Sequence, residues 1–142
     1  MALHMIKLCV GVDNVDELSE WQVKRAKERA KKGKSPNPFH DTRMFPKRAA
    51  EMLDGGSLYW VIKNVTIVRQ RIIQLEEVKD KDGKSMCRIH LDPELVRTSP
   101  RKKRPFQGWR YLEPSDAPAD LSGKGPALSA DLEQALKEAL AW

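Results

Sequence analysis

The stretch SLYWVIKNVTIVRQRIIQLEEVKDKDGKSMCRIHL, residues 57–91, decides the fold. Ser57 to Lys63 is rich in aromatic and β-branched residues and reads as a strand. Val65 to Val78 reads as a second, longer strand. Asp80 to Gly83 is a turn in which Asp82-Gly83 is a hairpin signal, and Lys84 to Leu91 returns as a third strand. Strands that follow one another across short turns pair antiparallel.

Toward the N-terminus, Leu3 to Val12 alternates Ile6, Leu8, Val10 and Val12 with Lys7, Cys9 and Gly11, as a strand does. Asp13 and Asn14 offer N-cap oxygens, with Glu17 three residues after Asn14 as in a capping box. A helix follows over 15–32, with Val15, Leu18 and Trp21 and then the small Ala26 and Ala30 as its apolar positions, and Gly33 ends it. The bases collect at its C-terminal end, which suits the macrodipole. Pro36 and Pro38 mark a loop to Asp41, Thr42 to Phe45 is a short strand, and Pro46 opens a helix reaching Leu53. Asp54-Gly55-Gly56 stops that helix.

Beyond the central stretch, Asp92 to Gly108 reads as a long loop and Trp109 to Leu112 as a closing strand. Residues 1–112 thus form one α+β domain, a small and mostly antiparallel β-barrel or curled sheet with two to three helices. Residues 113–128 are a Pro/Gly linker. Residues 129–142 form an amphipathic helix, capped by Ser129 and carrying Leu132, Leu136 and Leu140, that packs on the core.

The 142 residues are 32% charged and 40% hydrophobic, a soluble globular composition. Leu58 to Ile62 is the longest strongly apolar run, too short to span a bilayer. No secretory signal is read in Met1 to Val12, because Lys7 interrupts it and no small-residue cleavage site follows. Cys9 and Cys87 are too few for a disulfide framework, so a cytoplasmic location is expected.

Charge is the most informative feature. The chain carries +6, but residues 113–142 hold six acids and two bases, a net −4, so residues 1–112 carry +10. Such a field attracts polyanions. One cluster runs from Lys24 to Lys34 with Glu28 as its single acid. A second, Arg97 to Arg110, contains Arg101, Lys102, Lys103, Arg104 and Arg110 and no acid, interleaved with Phe106 and Trp109. Cations that fix phosphates beside aromatic faces that stack on bases suit single-stranded nucleic acid.

Three further groups are candidates. His40, Thr42 and Arg43 lead into Lys47 and Arg48 at a helix start, where free N–H groups favour anions. His40 there is also a candidate acid or base near neutral pH. Regular alternation places Arg69 and Arg71 on one otherwise apolar strand face, where a guanidinium requires an acid or an anion as partner; a bulge near Gln70 sends them to water instead. Ser57 follows Gly55-Gly56 but lacks the Gly-x-Ser-x-Gly elbow of a nucleophile, so the stretch reads as a turn between helix and strand. Cys87 and His90 diverge on a strand, as do Glu76 and Glu77. Neither metal-ligand spacing nor a phosphate-binding glycine loop is present, so no metal and no cofactor are expected.

Several stretches together resemble an uncharacterised bacterial family, the domain of unknown function fourteen eighty-nine. They are Leu3 to Val12, Thr42 to Arg48, Gly55 to Lys63, Arg69 to Ile72, Leu91 to Arg97 and Arg104 to Leu112. The resemblance spans nearly all of residues 3–121 and implies no mechanism. At the level of fold, the helix, Gly-Gly turn, strand and long arginine-bearing strand of residues 42–91 are similar to small barrels of the pseudouridine-synthase-and-archaeosine-transglycosylase (PUA-like) type. That similarity implies RNA or modified bases as ligands. The expected function is therefore a non-catalytic module that binds RNA or another polyanion and no membrane. A small enzyme using His40 and Arg43 on a phosphorylated or acidic substrate is the alternative. A third class is an interaction protein that forms weak homo-oligomers through its C-terminal helix.

Overall fold

The structure, a computed structural model, describes residues 3–121. In chain order the elements are β1 (His4–Leu8), α1 (Val15–Lys31), β2 (Phe39–Thr42), α2 (Ala49–Leu53), β3 (Ser57–Ile62), β4 (Val65–Lys79), β5 (Ser85–Leu91), β6 (Val96–Lys102) and β7 (Trp109–Leu112). A single 3-10 turn, Pro114–Asp116, follows. The fold is α+β, as the alternation of residues 57–91 dictates.

The seven strands form one sheet in the order β2-β5-β4-β3-β1-β7, with β6 also on β4. Its two ends, β2 and β7, do not pair, so the expected barrel is not closed. Pairing is antiparallel throughout except between β1 and β3. That parallel pair needs a crossover, which α1, β2 and α2 supply. All six residues of β3 are buried, as befits a strand covered on both faces.

Strand β4 has 15 residues, long enough to serve different neighbours along its length. Its first half pairs with β3 and β6, and its second half with β5. A two-residue turn, Lys63-Asn64, joins β3 to β4 with both residues at positive φ, as a primed hairpin turn requires. Register shifts occur where Ile67 and Ile73 have no cross-strand partner. Bulges at these positions, rather than at Gln70, re-phase the strand. Val68, Gln70 and Ile72 are buried, whereas Arg69 is half-buried and Arg71 exposed. The two arginines therefore do not interrupt the apolar face.

The main core lies between α1 and the sheet. Met5, Leu18, Met52, Leu58, Ile62 and Ile72 are among its fully buried members. A smaller cluster of Ile6, Tyr59 and Val61 covers the opposite face, under Leu112, Phe106 and Ala117. At Gly56, an added Cβ would meet the Leu3 carbonyl oxygen at 2.2 Å and that of Met52 at 2.4 Å, so the approach of β1 and α2 requires glycine there.

Several boundaries differ from the sequence reading. The strand expected at Thr42 to Phe45 lies instead at Phe39–Thr42, because that segment pairs with Cys87 to His90. Helix α2 begins at Ala49, and the Lys47 and Arg48 N–H groups before it donate to the Tyr111 hydroxyl oxygen. The loop expected over 92–108 contains β6, whose Pro100 falls in the irregular stretch opposite Ile67 where no ladder bond is needed. Residues 113–121 pack back along β6, through a Thr98–Asp120 bridge and a Leu121 N–H to the Arg97 carbonyl. The rest of the expected linker and the expected helix at 129–142 lie outside the described residues. No helix among the described residues is long and apolar enough to cross a membrane.

Candidate nucleotide-binding cavity

Helix α1 is capped as its sequence demands. Asn14 Oδ1 accepts the Glu17 N–H at 2.8 Å, and Glu17 reaches back to the Asp13 N–H at 3.0 Å. Val15 and Leu18 are buried, but the next buried position is Gln22, not Trp21. The Gln22 amide exchanges two hydrogen bonds with the Gln70 amide, at 2.9 and 2.8 Å. Gln70 also accepts from the Trp60 indole at 2.9 Å and donates to the Asp92 carbonyl at 3.0 Å. This satisfied network fixes the rotation of α1 on the sheet and leaves Trp21 44% exposed.

Trp21 then becomes the lip of a cavity of about 240 Å³ between α1, β2 and β3. Phe39, His40 and Trp60 form its walls, with Leu18 and Leu91 behind them, and the turn at Cys9 to Val12 is its rim. The His40 ring stands edge-on to Trp60, 5.3 Å between centroids. Burial first, then the charge of Lys7, lowers the His40 pKa to about 4, against a weaker opposing pull from Asp41. The imidazole is therefore neutral at pH 7, with one ring nitrogen a donor and the other an acceptor. Neither nitrogen bonds a described residue, and no buried side-chain nitrogen or oxygen among these residues lacks a partner, so the ring edge faces accessible space. Burial raises the neighbouring Cys9 thiol to about 11, which keeps it protonated.

Three guanidiniums surround the Phe39 ring. Arg25, Arg29 and Arg88 lie 4.8, 4.6 and 4.3 Å from its ring centroid. Arg25 is also 4.7 Å from the Trp21 ring, so it lies between two aromatic faces. Arg88 is paired with Asp41 at 2.8 Å. Arg29 donates to the Ser35 carbonyl, and neither it nor Arg25 has a carboxylate partner among the described residues. The charge of this cluster was plain in the sequence, but Phe39 and Gln22 were not legible as site residues. Both depend on contacts between β2, α1 and β4.

Of the sequence candidates, His40 lines this cavity, as does Trp60, which with Tyr59 is one of two adjacent strand aromatics of which only one can stack on a base. Thr42 is buried in β2 opposite Cys87. Arg43 pairs with Asp80 at the β4–β5 turn, at 2.6 Å. Arg48 pairs with Glu51 and Glu113, while Lys47 is held through its backbone to Tyr111. Arg69 forms a two-bonded pair with Asp120 at 2.7 and 2.6 Å, on the other face of the sheet. Arg71 is exposed, and its carbonyl accepts the Asp92 N–H. Arg101 bonds the Asp116 carbonyl, Lys102 is exposed at the end of β6, and Arg104 is exposed beyond it. Lys103 and Arg110 lie over Phe106 at 5.7 and 5.0 Å. Trp109 donates its indole N–H to the Met44 carbonyl at 2.7 Å and packs edge-on against Tyr111, fixing the loop before α2. These residues therefore occupy separate places.

Of the titratable groups next to His40, Asp41 is engaged by Arg88, the Cys9 thiol stays protonated, and burial lowers the pKa of the Lys7 ammonium. Ser57, His4 and Asp120 meet on the opposite face, but not as a triad. His4 accepts the Ser57 backbone N–H, and the Ser57 hydroxyl accepts from Arg69. No group of metal-ligating side chains occurs among the described residues.

Fold and cavity together define an α+β protein with an open mixed sheet and an aromatic recess, with arginines packed on the Phe39 ring. The chain belongs to the family described as Protein of unknown function (DUF1489), whose model matches residues 5–142. No curated protein and no solved structure matches the chain.

Proposed function

We propose that the protein binds single-stranded RNA without catalysis, seating one unstacked base in the cavity of Trp21, Phe39, His40 and Trp60. The observation that carries this reading is an aromatic recess two of whose rings, Trp21 and Phe39, are also packed by Arg25 and Arg29, neither of which forms an ion pair among the described residues. A base has two apolar faces and a polar edge. The rings would take the faces, the neutral His40 edge would take the base's donors and acceptors, and the guanidiniums would take the adjoining phosphate. The PUA-like likeness and a cytoplasmic location, in keeping with two free cysteines, belong to the same reading.

The test is a fluorescence-anisotropy titration of the full chain with a short single-stranded RNA and the matching DNA. Trp21→Ala and Arg25→Gln should each weaken RNA binding about tenfold, as expected for one lost stacking or phosphate contact. Wild-type affinity in both variants, or no binding at low salt, overturns the reading. Tighter binding of the DNA would reject RNA as the preferred strand.

A further inference from the structure

The face of the sheet opposite α1 has a second concavity, of about 330 Å³, floored by His4, Ser57, Tyr59 and Arg69 and walled by Pro114, Ala117, Pro118 and Asp120. Its polar groups arrive there through strand register. Tyr59 pairs with Arg69 and Ser57 with Arg71 across β3 and β4, and Tyr59 pairs with Ile6 across β3 and β1. His4, at the start of β1, packs edge-on to Tyr59 at 5.1 Å.

These groups are arranged to donate. His4 Nδ1 accepts the Ser57 N–H at 3.0 Å, so the neutral ring carries its proton on Nε2. Burial first, and the Arg69 charge second, lower the His4 pKa and favour that neutral form. The Arg69 guanidinium gives two N–H groups to Asp120 and one to the Ser57 hydroxyl, which leaves further N–H donors uncommitted. The Ser57 hydroxyl, accepting from Arg69, keeps its own hydrogen to give. Neither His4 Nε2 nor the Tyr59 hydroxyl bonds a described residue, and both residues line the concavity. The single acid in the wall, Asp120, is already held by Arg69.

We infer that this concavity is a second ligand site, which holds a small molecule by an oxyanion, phosphate or carboxylate, between Arg69, the His4 Nε2–H and the Tyr59 and Ser57 hydroxyls. It is separate from the nucleic-acid reading, because the sheet lies between the two cavities. Charge-assisted bonds from one guanidinium and three neutral donors suit an oxygen-rich anion better than a cation or an apolar group.

The experiment is a nitrogen–proton NMR titration of the full chain with inorganic phosphate and, separately, with acetate. The readouts are the Ser57 amide and the His4 imidazole, both local to this face. Saturable shifts with Kd about 1 mM are expected for at least one anion. Phosphate alone assigns a phosphoryl ligand, acetate alone a carboxylate, and both the oxyanion class. Tyr59→Phe removes only the hydroxyl and should weaken the response about fivefold. Lys84→Gln, in the exposed β4–β5 turn, should leave it unchanged. Absence of saturable shifts with either anion, or shifts that Tyr59→Phe leaves intact, would overturn the assignment.

Discussion

Gln70 is fully buried among the Gln22 amide, the Trp60 indole and the Asp92 carbonyl. A polar side chain in such a place is stable only while every partner is present. Gln70→Ala would orphan the Trp60 N–H, part of the Gln22 amide and the Asp92 carbonyl, and would leave a void. A loss of about 3–5 kcal/mol is expected from urea denaturation. A loss below about 1 kcal/mol would show that water replaces the network. In sequence, Gln70 is merely a polar residue between two arginines on a strand. What marks it as central is its meeting with Gln22, 48 residues earlier. Trp109 gives the reverse case. Its aromatic character is legible in the sequence, but the partner of its indole N–H, a carbonyl 65 residues away, is not.

Among the elements, α1 was the most legible, because caps and periodicity are local. Asn14, Glu17 and the first buried positions stand where the capping rules put them. Asn14→Ala should cost about 1 kcal/mol of stability by chemical denaturation, and Asn14→Ser should restore most of it. Equal stability of the alanine variant would show that the helix start is held by packing alone. The β4–β5 hairpin was legible for the same reason. Its turn centres on Asp80, whose carboxylate accepts from the Asp82 and Lys84 N–H groups, while Gly83 adopts the positive φ that the turn requires. Strand β6 was not legible. Pro100 and the run of bases around it carry no strand period, and pairing with β4 is what makes the segment extended.

Across the whole molecule, part of the charge of a chain of net charge +6 is paired with acids among the described residues. Asp16, Asp41, Asp80 and Asp120 each take an arginine, so much of the charge counted along the sequence is neutralised locally. The proposed nucleic-acid contact then rests on few phosphates. With Arg25 and Arg29 alone engaged, log affinity should fall with log salt at a slope near −1.4, a loss of about fivefold to tenfold between roughly 50 and 200 mM. Arg25→Gln should reduce that slope by about 0.7. Anisotropy titrations at four salt concentrations would measure it. A flat dependence would mean that phosphates do not contribute.

The amino-acid order by itself determined the α+β class, the capped first helix, the hairpins and the family, since each is written in neighbouring residues or in contiguous motifs. It also fixed how much charge is available. Only the tertiary structure decided how that charge is used. Arg69 meets Asp120 across 51 positions and Arg88 meets Asp41 across 47, whereas Arg25 and Arg29 are left beside Phe39. Local rules act through the backbone over a few residues. Partners this far apart are chosen by sheet register and by the angle at which α1 lies on it.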